Sequence, residues 1–210
     1  MNKKKRNLIL YLFNSKYPNL KTELAFNSPF ELLISVVLSA QSRDKVVNKS
    51  TAVLYKFANT PSKILKMGIY NLKKYIKNIG LYNNKAKNII KISKILNAKY
   101  KGKIPNNRFD LENLPGVGRK TANVVLNNIF LKPTIAVDTH VFRVSNRTSF
   151  AVGKNVLDVE NKLLKLVPLK FKSFLHNWFV FHGKKICRSK NPKCFICFIN
   201  HLCEFKDKVV

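Results

Sequence analysis

The sequence of 210 residues has few acidic residues, few cysteines and no long apolar run. No window approaches the ~20 apolar residues that a membrane-spanning helix needs. The basic N-terminus is followed by only a short apolar run, which is typical of an amphipathic helix rather than a signal peptide. All four cysteines lie in the last 24 residues, unlike disulfides spread along a secreted fold. These absences predict an intracellular chain with no membrane partner and one clustered cysteine site.

The sequence also lacks the patterns of a β fold, a repeat array or a flexible linker. No segment alternates apolar and polar residues for long, and no repeat of roughly 20–50 residues is visible. Apolar residues instead recur at helical spacing in about ten segments. Among them are helices predicted over residues 71–79, 85–100 and 171–181, with Gly80 and Gly183 as terminators and residues 81–84 as an exposed turn. The sequence therefore predicts an all-α fold.

The scarcity of acidic residues leaves a formal net charge of +30, from 40 Lys and Arg against 10 Asp and Glu. Such an excess favours a polyanionic partner, either nucleic acid or an anionic membrane surface. Lysine far outnumbers arginine, and asparagine, isoleucine and phenylalanine are plentiful. That bias resembles drift toward AT-rich codons, which raises the charge without functional demand. Part of the charge excess therefore needs no nucleic-acid partner to explain it.

The most informative stretch, residues 111–129, predicts a short helix, a tight turn and a second helix. Leu114 anchors the turn, Pro115 cannot continue a helix, and Gly116 and Gly118 allow backbone angles that other residues avoid. Helical spacing resumes after Gly118. Because N–H groups point outward at a helix N-terminus, this turn suits a phosphate group.

Lys120 and Asp138 are the candidate catalytic residues. Lys120 is predicted in the first turn of the second helix, where the positive end of the helix dipole disfavours the protonated amine. A lysine must be neutral to attack carbon, so this position favours a nucleophile over a solvated surface charge. Asp138 follows a short apolar run in a chain with few carboxylates. Its alternative interpretation is a helix N-cap, and the two roles are compatible.

The cysteines are spaced as Cys187-x6-Cys194-x2-Cys197-x5-Cys203. Four thiolates this close together predict a metal site. A structural zinc site usually has two Cys-x2-Cys pairs, whereas this segment has one. The spacing therefore favours a [4Fe–4S] cluster, with zinc and unliganded thiols as alternatives. The surrounding basic residues predict contact with phosphates: Lys184, Lys185, Arg188, Lys190 and Lys193.

Together these residues resemble the endonuclease III family of base-excision DNA glycosylases. The resemblance runs nearly end to end and includes the cysteine segment. Its other motifs are Ser28-Pro-Phe-Glu-Leu-Leu33, Leu38-Ser-Ala-Gln41, Ile79-Gly-Leu-Tyr82, Leu114-Pro-Gly-Val-Gly-Arg-Lys-Thr-Ala-Asn-Val-Val125 and Val137-Asp-Thr-His-Val-Phe-Arg-Val144. The lysine two residues after the second hairpin glycine narrows the resemblance to the bifunctional lyase branch.

The resemblance implies an all-α protein with a helix-hairpin-helix and two domains. A six-helix domain would span residues 22–132, and the other would combine residues 1–21 and 133–210, including a cluster loop at 184–205. Damaged duplex DNA or DNA with abasic sites would bind to a monomer at the cleft between domains. The bacterial members of the family imply a cytoplasmic, nucleoid-associated enzyme that removes oxidised pyrimidines and cleaves the strand 3′ to the abasic site.

The resemblance also implies a role for each site residue. Lys120 would be the nucleophile and Asp138 the catalytic carboxylate, and Gln41 and Leu81 would fill the gap that a flipped base leaves in the duplex. Without the resemblance, Gln41 and Leu81 would be interpreted as surface residues at helix ends. The phosphate-binding hairpin would comprise Leu114, Gly116, Val117 and Gly118, and the four cysteines would hold a [4Fe–4S] cluster.

Three other functions are compatible with parts of the pattern. A monofunctional adenine mismatch glycosylase shares the scaffold and the cluster, but the lysine argues against it. The chain could also be a DNA-binding module without catalysis, or a zinc-stabilised binding protein. Strand cleavage and a brown colour with broad visible absorption would separate these alternatives.

Overall fold

The structure, a computed structural model, describes residues 1–209. Its regular elements are α-helices and one 3₁₀ turn at Cys194–Ile196, and residues 1–209 contain no β-strand. The predicted all-α fold is therefore confirmed. The helices are α1 (Lys3–Lys16), α2 (Pro29–Ser39), α3 (Asp44–Phe57), α4 (Pro61–Ile76), α5 (Tyr82–Tyr100), α6 (Arg108–Glu112), α7 (Arg119–Phe130), α8 (Thr139–Arg147), α9 (Val156–Leu166) and α10 (Leu169–Lys185).

The helices divide between two compact units of the chain. One unit is continuous, covers Thr22–Leu131 and contains α2 to α7. The other combines Met1–Lys21 with Lys132–Val210 and contains α1, α8, α9, α10 and the cysteine segment. The candidate nucleophile Lys120 belongs to the continuous unit, and Asp138 belongs to the other.

In the continuous unit, the most buried element is α2. Ser28 caps it by accepting a hydrogen bond from the Glu31 N–H, and Pro29 occupies its first turn. Every residue from Phe30 to Leu38 is buried, so α2 forms the centre of this unit rather than one wall of it.

Two predicted boundaries in this unit are wrong. The helix predicted over residues 71–79 is the second half of α4, which continues across a kink where Gly68 has φ +76°. The turn predicted over residues 81–84 lies earlier, at residues 77–81, because α4 ends at Ile76 and Tyr82 already begins α5. Helical periodicity locates the buried face of an element better than it locates the ends.

The second unit packs around aromatic side chains of α1 and α10. Phe13 contacts the rings of Trp178 and Phe179, and the Trp178 indole N–H donates to the Tyr17 carbonyl at 2.9 Å. The predicted end of α10 at Gly183 is wrong, since the helix continues to Lys185. A Cβ at residue 183 would lie 2.9 Å from the His140 Cβ, so this glycine permits close packing of α10 on α8.

No helix within residues 1–209 combines the length and the apolar character required to cross a membrane.

Candidate functional site

The predicted hairpin lies between α6 and α7. Gly116 adopts φ +77°, a conformation that favours glycine, whereas Gly118 has an ordinary φ of −93° and does not need to be glycine for its backbone angles. The expectation of special angles is therefore confirmed for Gly116 and wrong for Gly118. Leu114 and Val117 are buried anchors, and the Val117 N–H donates to the Leu114 carbonyl at 3.0 Å. Any contact of these two residues with a phosphate must use their backbone.

The hairpin turn packs tightly on α5 through Asn88. A Cβ at residue 116 would lie 2.6 Å from the Asn88 Nδ2 atom, far inside van der Waals contact. Residue 116 must therefore be glycine for two reasons: its positive φ and its close approach to Asn88. The sequence alone gave no signal for Asn88, because the contact joins elements nearly thirty residues apart.

The N-terminus of α7 forms the outer edge of the hairpin. Its N-cap is Gly118, and no side chain caps the helix. Lys120 is exposed in the first turn, as predicted. N–H groups that no side chain caps, next to a lysine, form an arrangement suited to a phosphate oxygen and a nearby electrophile.

In the second unit, Asp138 is the N-cap of α8. Its Oδ1 atom accepts hydrogen bonds from the His140 N–H at 2.9 Å and the Val141 N–H at 2.8 Å. The interpretation as a helix cap is therefore confirmed. Both bonds use the same oxygen, so capping fixes the direction of the carboxylate without excluding a chemical role.

The segment before Asp138 is held in the core of its unit. Ile135, Ala136 and Val137 are buried, and the Ala136 carbonyl lies 2.8 Å from the His176 Nδ1 atom on α10. Buried neighbours on one side and the capped helix on the other fix the Asp138 backbone. The carboxylate is therefore preorganised rather than mobile.

Gln41 and Leu81 occupy helix-end turns of the continuous unit, as the sequence predicts. Both have left-handed backbone angles, φ +54° for Gln41 and φ +58° for Leu81, which are uncommon for residues other than glycine. Leu81 is 57% exposed although it is apolar. A strained backbone that presents an exposed side chain makes Leu81 a candidate functional position.

All four cysteine side chains border one cavity of about 340 Å³, measured with its opening to solvent. Burial raises the pKa of the Cys197 thiol to about 11 and also raises the pKa of Cys203. The His182 Nε2 atom lies 3.6 Å from the Cys197 sulfur, and burial lowers the pKa of His182 to about 4, so this imidazole is neutral at pH 7. A neutral imidazole can donate a hydrogen bond to a thiolate.

The arrangement of the four cysteines distinguishes a site for a single metal ion from a site for a larger cluster. Within residues 1–209, no three Cys, His, Asp or Glu side chains are placed to hold a single metal ion. A zinc ion would need the sulfurs about 2.3 Å from one common point. Four thiols around a cavity therefore fit a larger group with four separate attachment points better than they fit one ion.

Two arginines of α8 connect this helix to the cysteine segment, and neither was anticipated from the sequence. Arg143 donates to the Cys187 carbonyl at 2.9 Å and the Gly183 carbonyl at 2.8 Å. Arg147 donates to the Ser189 carbonyl at 2.9 Å and lies 3.8 Å from the Cys187 sulfur. Since Asp138 caps the N-terminus of α8, one short helix joins the candidate carboxylate to the cysteine segment.

The five predicted basic contacts of the loop do not share one environment. Lys184 and Lys185 are the last residues of α10, and Lys185, Arg188 and Lys190 are exposed. Lys193 is half-buried and lines the cysteine cavity. The exposed cations are the ones that a phosphate group can reach.

Comparison with known proteins identifies the family. A model of the HhH-GPD superfamily base excision DNA repair proteins matches residues 34–169. The endonuclease III of Buchnera aphidicola subsp. Acyrthosiphon pisum (strain APS) is 59% identical over 209 residues, which cover 100% of both chains.

Two solved structures give the same result at the level of the fold. They are described as a non-covalent endonuclease III–DNA complex and a trapped endonuclease III–DNA covalent intermediate. Each superposes with a TM-score of 0.91 at 43% identity and covers 97% of this chain and 96% of its own. The chain therefore belongs to the endonuclease III family of the HhH-GPD superfamily of base excision DNA repair proteins.

Proposed function

We propose that this chain is a DNA glycosylase with associated AP lyase activity, which removes oxidised pyrimidines from duplex DNA. The observation that carries the proposal is Lys120, an exposed lysine in the uncapped first turn of α7, directly after the hairpin. A protein similar to this chain has been trapped as a covalent intermediate with DNA. Covalent capture requires a nucleophile, and a lysine amine supplies one that can form a Schiff base.

The reaction begins with binding of the duplex through its phosphates. The N–H groups at the start of α7 and the exposed cations near the cysteine segment contact the backbone and fix its register. The damaged pyrimidine leaves the stack, at a lower cost where damage has weakened pairing. Gln41 and Leu81 fill the gap that it leaves. We infer that the enzyme acts as a monomer in the bacterial cytoplasm, at the nucleoid, because it is similar to endonucleases III of bacteria.

Lys120 and Asp138 carry the chemistry. The neutral Lys120 amine attacks C1′ of the sugar as the bond from C1′ to the base breaks, and the base departs with the bonding electrons. Asp138 takes the proton from the lysine nitrogen and stabilises the positive charge that develops on the sugar. The bond between C1′ and the ring oxygen O4′ then breaks, O4′ takes up the proton that Asp138 holds, and the opened sugar is left as a Schiff base with Lys120. This Schiff base acidifies the C2′ proton. Its loss drives β-elimination of the 3′ phosphate, which cleaves the strand.

The cysteine segment is proposed to hold a [4Fe–4S] cluster through Cys187, Cys194, Cys197 and Cys203. Two observations support this group over a single zinc ion: all four cysteine side chains border one cavity, and within residues 1–209 no three candidate ligands are placed around a single ion. When bound, the cluster would supply a rigid scaffold for the loop, with a redox couple of its own. The proposed six-helix domain, residues 22–132, and the proposed second domain, residues 1–21 and 133–210, differ from the two compact units only in the placement of Lys132.

The proposal is tested by trapping the covalent intermediate with borohydride on a duplex that contains thymine glycol. The wild type is expected to give a covalent protein–DNA adduct, and Lys120→Gln is expected to give none, because glutamine cannot form a Schiff base. The matched control is Lys103→Gln, which removes an exposed lysine from the same unit. Wild-type adduct yield from Lys120→Gln would refute the assignment of the nucleophile. Base release by the wild type without strand cleavage would indicate a monofunctional glycosylase instead.

A further inference from the structure

Lys85 is a buried lysine whose partners are all uncharged. It lies in the first turn of α5 and is only 5% exposed. Its ammonium group donates to the Leu38 carbonyl at 2.9 Å, the Ala40 carbonyl at 2.6 Å and the Ser42 hydroxyl at 3.1 Å. Three acceptors match the three protons of a lysine ammonium group. Burial lowers the pKa of Lys85, so a charge is kept here at a cost in solvation.

The acceptors of Lys85 lie at the C-terminal end of α2. The last carbonyls of a helix have no partners within the helix, and they carry the negative end of the helix dipole. The Lys85 side chain, which belongs to another helix, donates to two carbonyls at this end and therefore caps the C-terminus of α2. A capping cation from another helix fixes where the chain leaves α2.

The same residue also holds the turn that contains Leu81. Its backbone N–H donates to the Leu81 carbonyl at 3.0 Å, while its side chain binds Ala40 and Ser42 on either side of Gln41. A Cβ at Gly80 would lie 3.5 Å from the Gln41 carbonyl oxygen, so the two turns are in near contact. Gln41 and Leu81 are both left-handed, and strained backbones persist only where surrounding structure holds them.

We propose that Lys85 is a positioning residue that fixes Gln41 and Leu81 as a preformed pair for entry into the duplex. The inference rests on the proposed function, because it assigns to Lys85 the geometry of the two residues that fill the gap left by the flipped base. A rigid pair does not have to be ordered when the base leaves the stack. Lys85 acts through the two turns and does not itself touch DNA.

The prediction separates this role from plain support of the core. Lys85→Met keeps the length of the side chain and removes its donors. We expect it to lower kcat/KM for release of thymine glycol from a duplex about tenfold or more, since small displacements of positioned groups are costly. The matched control is Lys91→Met, which removes an exposed lysine from the same helix and is expected to leave kcat/KM unchanged.

A double-mutant cycle tests whether the loss passes through the two turns. In a background with Gln41→Ala and Leu81→Ala, Lys85→Met is expected to lower kcat/KM less than about twofold further. An equal loss in both backgrounds would show that Lys85 only supports the core and would overturn the inference. No loss in the otherwise wild-type chain would overturn it as well.

A second variant covers the case in which Lys85→Met does not fold. Ser42→Ala removes one of the three acceptors and leaves Lys85 bonded to the Leu38 and Ala40 carbonyls, so we expect a smaller loss that also vanishes in the double-alanine background. If it lowers kcat/KM equally in both backgrounds, or not at all, the inference is wrong. The wild type reports separately on the proposed function: if it releases no thymine glycol, that function fails and the inference falls with it.

Discussion

Replacing Gly116 by alanine should damage the hairpin for two separable reasons. The residue has φ +77°, where a side chain clashes with its own backbone. The added methyl group would also lie 2.6 Å from the Asn88 Nδ2 atom on α5. Because both effects act on the turn that precedes Lys120, the variant tests whether the hairpin is held in one shape.

The expected loss in the free energy of unfolding is the sum of these two contributions. A left-handed angle costs alanine about 1–2 kcal/mol. Forcing a methyl group into a filled space costs about 1–3 kcal/mol more. We therefore expect Gly116→Ala to lower the free energy of unfolding by about 2–5 kcal/mol. Gly68→Ala is a comparison without a clash, since Gly68 has nothing within 4 Å of the new Cβ and its φ +76° and ψ 165° leave only the cost of its own backbone angles.

Urea unfolding of the two variants measures the difference between them. Adding Asn88→Ala to Gly116→Ala should recover the part due to the clash and leave the part due to the angle. Affinity for a duplex with an abasic-site analogue should fall in Gly116→Ala and stay unchanged in Gly68→Ala. If adding Asn88→Ala restores no stability to Gly116→Ala, the claim that Asn88 constrains the hairpin is refuted.

Two further predictions concern the second unit. Asp138→Asn should bind abasic DNA but turn over slowly, and it should keep the stability of α8, because asparagine is also a good N-cap. Single-turnover rates equal to those of the wild type would reduce Asp138 to a capping role. The control for the cap is Asp138→Ala, which should lower the free energy of unfolding by about 1 kcal/mol. Arg143→Gln leaves the Cys187 and Gly183 carbonyls without their donor, which should cost about 1–3 kcal/mol in thermal unfolding. It should also speed the loss of visible absorption from the purified protein. Decay no faster than that of Arg188→Gln, which alters an exposed side chain, would count against this role.

Local sequence signals located the elements that carry the candidate site. Ser28 with Pro29 begins α2 and Thr60 with Pro61 begins α4, because capping and the fixed φ of proline act within one turn. The hairpin follows from Gly116 and its flanking apolar anchors for the same reason. Asp138 is predicted as a cap and is one. Signals of this kind depend on neighbours in the sequence, so the sequence is sufficient to read them.

The residues that hold the site in place were not predictable in this way. The chain has 40 Lys and Arg residues, and only their tertiary partners distinguish Lys85, Arg143 and Arg147 from the cations of the surface. Gly183 looked like a helix terminator, yet it lies inside α10 because α8 packs against it. Each of these roles depends on a contact between distant segments, and periodicity and propensity carry no information about such contacts.

The few acidic residues show why net charge is a poor guide to this chain. Half of the 10 acidic residues lie at an N-cap or in the first turn of a helix, where the dipole favours them: Glu31, Asp44, Asp110, Asp138 and Asp158. Glu204 binds the N-terminal amine at 3.0 Å and Lys5 at 3.2 Å. Half of the carboxylates thus lie where the helix dipole stabilises them, and the excess of +30 arises from the 40 Lys and Arg that outnumber all 10. That excess attracts any polyanion, whereas discrimination of damage depends on groups that the fold places, among them Lys120 at the start of α7 and Asp138 at the start of α8.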